Sequence, residues 1–177
     1  MRLTQPDQRS CGAASLVMAR RLAHPDYAEQ VHDQLAFARE VLTLHKRVTS
    51  STDSAGRFQL PWLRAIGTPP WAVARELELV TGADYSVHPV RPGGKVWRHL
   101  QRASPDRPAA VYVGNRLSPR HVVLVARVAD GSAWTYEPAS GVMTLVARSR
   151  WTEGRLRLAG WNRPWLVVVP DQPISST

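Results

Sequence analysis

Residues 4–22 read TQPDQRSCGAASLVMARRL. The stretch holds Cys11, the one cysteine of the 177-residue chain, directly after Ser10 and ahead of a run of small and apolar residues. Ser10 is of the type that caps a helix, and the run predicts a helix over residues 11–22. Its first two turns are apolar on nearly every side, as in a helix buried in the middle of a domain. Cys11 then stands at a helix N-terminus, where unpaired N–H groups and the helix dipole favour an anion. A thiol in such a place is biased toward the thiolate, its reactive form. Gly12 beside it would allow close backbone approach by a substrate. Cys-Gly at a helix start does not decide the matter, because free cysteine is also a common buried small hydrophobe.

Working outward, HPDY at 24–27 is a break, and Asp26 is placed to cap a second helix running to about Val48, with Tyr27, Val31, Leu35, Ala38, Leu42 and Val48 near helical spacing. TSSTDSAGR at 49–57 reads as a mobile polar loop, and PWLRAIGTPP as a short helix or irregular segment. A third helix begins near Pro70 and stops at Gly82. DYSVHPVR follows as a strand, then a Gly-Gly turn and a short helix holding Val96, Trp97 and Leu100. From there PAAVYVGN, RHVVLVARV, SAWTYEP, GVMTLVARSR and WLVVVP are β-branched or alternating runs separated by turn signals. Helices first and antiparallel strands after indicate an α+β domain. The expectation is one domain over 1–177, helical to about 105, β-sheet from about 106 to 170, with a short tail at 171–177.

Composition excludes several classes. Hydrophobic residues at 44% and charged residues at 21% are ordinary for a globular chain. A single cysteine forbids an internal disulfide, and MRLTQPDQ lacks the apolar stretch of a signal peptide. No apolar run approaches the roughly 20 residues of a membrane span. As written, the chain reads as cytoplasmic. A motif this near residue 1 also suits a domain cut from a longer exported or delivered protein. The formal charge of +9 allows an anionic partner. Nearly all the basic residues are arginines scattered along the chain without a dense run, which argues against nucleic acid and suits the codon usage of a GC-rich genome.

A thiolate nucleophile needs a base within hydrogen-bond reach, usually an imidazole. Of the six histidines, His24 lies in a break, His32 and His45 on a surface-type helix, His88 before a proline and His99 in a short basic helix. His121 stands at the entrance of a strongly apolar strand, where a fixed element can hold its ring. Strands 121–128 and 132–137 form a hairpin across ADGS, which returns Glu137 to within a few places of His121. A carboxylate there can take the imidazole N–H and fix its tautomer; alternatively, Glu137 is a solvated residue before a Pro turn. Gln5, a short loop from Cys11, can donate its amide to an oxyanion beside the backbone N–H of Cys11, with Gln8 a rival.

In this order the elements resemble the papain-like cysteine peptidases. The likeness is to the bacterial branch that includes the leader-peptide-cleaving (double-glycine) domains of bacteriocin exporters. The matching residues are Gln5, Cys11-Gly12-Ala13-Ala14, Gly67-Thr68-Pro69, His121 and Glu137-Pro138-Ala139-Ser140-Gly141. The closing WNRPWLVVVP also looks like the last strand of that family. The likeness spans most of the chain on about twenty motif residues. It implies a papain-like α+β fold with the nucleophile on a central buried helix packed on an antiparallel sheet. It also implies Cys11 as nucleophile, His121 as general base then acid, Glu137 as orienter and Gln5 as oxyanion donor, with no metal or cofactor. The family usually has Asp or Asn where Glu137 stands, which puts the orienter role in question.

Three readings follow from that likeness. The first is a thiol peptidase acting on a peptide or protein. The second is a toxin or effector domain that cleaves, deamidates or transglutaminates one target, with an immunity or carrier protein as partner. The third is an inactive peptide-binding module, which the intact Cys11, His121 and Gln5 count against.

Overall fold

The computed structural model describes residues 2–63, 67–91 and 95–171. The expected Gly-Gly turn and all but the first residue of the tail lie outside them. In chain order the elements are α1 (Cys11–Ala23), α2 (Pro25–Gln30), α3 (Gln34–Val48), α4 (Pro70–Thr81), β1 (Tyr85–Pro89), α5 (Val96–Leu100), β2 (Ala109–Gly114), β3 (Pro119–Ala129), β4 (Ser132–Glu137), β5 (Val142–Ala147), α6 (Arg148–Thr152) and β6 (Arg163–Pro170). The strands form one antiparallel sheet in the order β1-β6-β2-β3-β4-β5.

Both faces of the sheet's centre are covered, which is why its central strands read as near-continuous apolar runs rather than as clean alternation. Along β3, Val122 and Leu124 join Leu16 and Val17 of α1, Phe37 and Val41 of α3, and Val73 and Leu77 of α4 in one apolar cluster. Val123 and Val125 point the other way, into a cluster with Trp97 and Leu100 of α5 and Trp151 of α6. The expected α+β order therefore holds, with two differences. The sheet gains β1 from the helical part, and α6 emerges from the end of GVMTLVARSR to help cover the face opposite α1.

The expected long helix from Asp26 is two helices. Val31 is buried and continues the apolar spacing, but Asp33 accepts a hydrogen bond from Ala36 N at 2.8 Å and so caps a new helix. Nor is segment 49–57 an open polar loop. Asp53 is buried, and its carboxylate accepts from Ala55 N, Arg57 N and Arg57 Nε at 2.8 to 2.9 Å. The segment folds around this carboxylate, while Ser51, Thr52, Ser54 and Arg57 remain exposed.

α1 starts at Cys11, as its sequence predicts, but Ser10 does not cap it: the Ser10 hydroxyl donates to Asp7 O at 3.3 Å, and no side chain caps the first turn. Gly12 is required by protein rather than by substrate. A Cβ there would lie 2.6 Å from both Cβ and Oγ1 of Thr68. Thr68 belongs to the Gly67-Thr68-Pro69 segment that opens α4, and Tyr112 of β2 donates its hydroxyl to Thr68 O at 2.7 Å. The start of α1 is thus wedged between α4 and the sheet. Gly12→Ala is expected to lower unfolding free energy by about 1–3 kcal/mol through overpacking. In urea titrations, adding Thr68→Ala should recover part of the loss, because the two sites share one contact. Strict additivity would contradict the contact.

Candidate active site

Cys11 enters the site from α1, and His121 and Glu137 come to it from the start of β3 and the end of β4. What aligns the last two is a defect in the hairpin. Asp130 and Gly131 have φ of 51° and 69°, and Ala129 pairs with Ser132 across them. This is a two-residue turn of the kind that matches strand twist. Its register, continued without interruption, would set Glu137 opposite Leu124 and turn it to the face away from His121. A bulge between Val125 and Arg127 shifts the pairing so that Leu124 meets Tyr136. Glu137 then falls opposite Val123, on the same face as His121 and diagonal to it.

The result is a hydrogen bond of 2.7 Å between His121 Nε2 and Glu137 Oε1, with side chains only 6% and 8% exposed. The Cys11 thiol, itself buried, lies close enough to the same imidazole to favour its charged form. Glu137 is satisfied further by its own turn, accepting from Ala139 N at 2.7 Å and from Ser140 N at 2.9 Å. One carboxylate thus reaches the ring and closes the turn.

Burial works against charge on His121, but hydrogen bonds to Cys11 and Glu137 and their charge outweigh it, lifting the imidazolium to a pKa of about 9. Burial likewise works against charge on Glu137, yet His121, Ser140 and Ala139 hold its carboxyl down to about 2. Burial pushes the Tyr112 hydroxyl well above its ordinary pKa and keeps it protonated. Sequence reasoning missed Tyr112 and Thr68 as the supports of the helix that begins at Cys11. The one signal for Thr68 was its place between Gly67, with φ of 90°, and Pro69.

The N-terminal segment is pinned to the same turn. Tyr136 donates its hydroxyl to Leu3 O at 2.6 Å, and Gln5 N donates to Pro138 O at 2.8 Å. Gly141, with φ of 66°, lets the segment pass, since a Cβ there would lie 2.8 Å from Leu3 O. Gln34 of α3 holds Thr4 from the other side through bonds at both its N–H and its C=O. Gln5 is thereby fixed beside the Glu137 turn, but one amide N–H already goes to Asp7 O at 2.7 Å. Only the second N–H is left for an oxyanion. The rival Gln8 is exposed.

The other histidines lie elsewhere. His24 contacts Val80 O, His88 and His99 stack at 4.3 Å, and His45 is buried on α3 rather than solvated. Among the described residues no group of three or more His, Cys, Asp or Glu could hold a metal ion, and no helix is long and apolar enough to cross a membrane.

The pair makes stability pH-dependent at both ends. His121 has a raised pKa, so its contribution is complete below its ordinary 6.5 and is lost as pH rises through about 9. Glu137 has a lowered one, so its contribution is complete above its ordinary 4.5 and is lost as pH falls through about 2. An NMR titration of the His121 ring should show a midpoint near 9, moving down in Glu137→Gln. An unchanged midpoint in that variant would contradict the coupling.

No protein-family model and no curated protein sequence matches the chain. Solved structures do. A double-glycine-motif protease from an AMS/PCAT transporter, solved with its leader peptide, is 15% identical with a TM-score of 0.47, the match covering 97% of this chain and 91% of that one. The peptidase domain of Streptococcus mutans ComA is 12% identical with a TM-score of 0.47, covering 97% and 98%. A Bacillus anthracis protein assigned as a C39-like peptidase is 8% identical with a TM-score of 0.54, covering 97% and 94%. At these identities the likeness concerns architecture, and it rests on the third structure. The helices that precede and flank this six-stranded sheet are arranged in the papain-like fold of a C39-like peptidase.

Proposed function

We propose that the chain is a thiol-dependent acyl-transfer enzyme, a cysteine peptidase that cleaves a peptide or protein substrate. The observation that carries this reading is the buried Glu137–His121 hydrogen bond of 2.7 Å with the Cys11 thiol near the same ring. An interior that needed only packing would not bury an ionised carboxylate and an imidazole, because desolvating them is costly. Charged residues with shifted pKa values beside a thiol are instead the usual equipment of covalent catalysis.

In this reading the Cys11 thiol proton passes to His121, the sulfur attacks the scissile carbonyl carbon, and the carbonyl electron pair moves onto oxygen. The Cys11 N–H, at the uncapped start of α1, and the free amide N–H of Gln5 donate to that oxyanion. The C–N bond breaks as His121 passes its proton to the departing amine, leaving a thioester on Cys11. His121 then takes a proton from water, the hydroxide displaces the sulfur, and the carboxylate product and the thiol are restored. Glu137 orients the ring through both protonation states. The helical and sheet parts serve as one catalytic domain. A segment of small residues, of the kind implied by the names of the double-glycine peptidases, is the substrate we expect Cys11 to attack.

Iodoacetamide at pH 6 should alkylate Cys11 about tenfold or more faster than free cysteine, and His121→Ala should remove that advantage. Alkylation no faster than free cysteine would remove the catalytic reading. On a cleaved peptide, His121→Ala should lower kcat/KM by about a thousandfold or more. Glu137→Gln should cost less than that. Equal losses would make Glu137 as essential as the base.

A further inference from the structure

The net charge is not evenly spread. Residues 91–163 carry thirteen Lys and Arg against four Asp and Glu, whereas residues 1–90 carry ten against nine. The excess therefore belongs to the part of the chain that holds α5, α6 and the loops around them. Within it lies a cavity of about 470 Å³ lined by Arg91, Arg116, Arg163, Trp151, Trp165 and Glu153, among others. Two of its buried donors lack acceptors. Trp151 is 1% exposed, and its indole N–H has no hydrogen-bond partner; the buried Nε of Arg163 has none either. Such orphaned donors are uncommon in folded proteins. The one lining carboxylate, Glu153, is engaged by Arg155 at 3.2 Å. Among the described residues no carboxylate pairs with Arg91, Arg116 or Arg163. Trp165 is satisfied by Asn115 O at 2.9 Å and supplies a fixed apolar wall.

The cavity also has a defined place relative to the site. Pro164 pairs with Val113, and Val113 pairs with His121. The backbone at Arg163, paired with Gly114, therefore lies about two strand spacings, roughly 10 Å, from the β3 backbone that carries His121. An extended peptide covers that distance in about three residues.

We propose that this cavity is a carboxylate-binding subsite for the substrate peptide. It would receive an acidic side chain, or the free C-terminus, about three residues from the bond that Cys11 attacks. The inference rests on the acyl-transfer reading for its register but not for its chemistry. Three unpaired guanidinium groups and an unpaired indole N–H accept a carboxylate with charge-assisted hydrogen bonds and reject its amide isostere.

The experiment uses the Cys11→Ala protein, which binds without turnover, and fluorescence anisotropy. The probes are fluorescein-labelled decapeptide amides with one Glu or one Gln three residues before or three residues after a central Gly-Gly. A further Gln peptide ends in a free carboxylate three residues after the Gly-Gly. The expected result is about tenfold tighter binding of a carboxylate peptide over its Gln amide counterpart, a ratio typical of one charge-assisted contact. The Glu peptides and the free-acid peptide distinguish side chain from chain end. Arg116→Gln, on an exposed loop, should reduce the preference, and Arg116→Gln with Arg163→Gln should erase it while the far-UV spectrum stays unchanged.

The proposal is overturned if carboxylate and amide peptides bind alike or not at all, or if the preference survives the double variant. It is also overturned if a labelled oligothymidylate binds through the same arginines while the peptides do not discriminate. Alkylation of wild-type Cys11 reports the other reading separately. A slow Cys11 with an intact carboxylate preference would sink the peptidase assignment alone.

Discussion

The structure depends on a carboxylate and an imidazole, both buried, 2.7 Å apart. Two such groups can be left inside a protein only if each finds its partner and the remaining lone pairs are filled, and removing one partner of a buried pair typically costs about 3–5 kcal/mol. Here the filling is local. The turn after β4 closes on the Glu137 carboxylate through Ala139 N and Ser140 N, so the group that orients His121 also shapes the backbone around itself. The bulge between Val125 and Arg127 is the geometric condition for the pair, since it sets the end of β4 to the His121 face.

That turn is a junction. Pro138 O and the hydroxyl of Tyr136 hold the segment carrying Gln5, and Gly141 makes room for it. Cys11 is held separately, by Thr68 against Gly12 and by the apolar face of α1 against β3 and α4. Cys11 and Gln5, near each other in sequence, thus meet His121 from far along the chain, each fixed by contacts of its own. Cys11, His121 and Glu137 sit on a helix and two strands, rigid elements of the kind precise chemistry requires.

Much of this was legible in the chain. The small apolar run after Ser10 announced a buried helix starting at Cys11, Asp130-Gly131 announced the hairpin, and Gly82 announced the stop of α4. Local chemistry determines each of these. What escaped reading depends on contacts between distant residues. Val31 and Leu35 keep a helical spacing across a real break, because the Asp33 cap competes with it. The bulge has no glycine to mark it, and only the pairing of two strands reveals it. Gly12 looked like access for substrate, yet Thr68, remote in sequence, occupies the space. The order of segment 49–57 rests on Asp53 being buried, which a polar composition conceals.

The central claim is that Cys11, His121 and Glu137 act as one acyl-transfer unit. Its most direct test is intact-protein mass spectrometry after exposure to a peptidyl vinyl sulfone ending in two small residues. The account predicts a single adduct of the probe's full mass on Cys11 in the wild-type protein, and none on the same timescale in His121→Ala. An adduct that forms as readily without His121, or none in the wild type while free cysteine reacts, would contradict it.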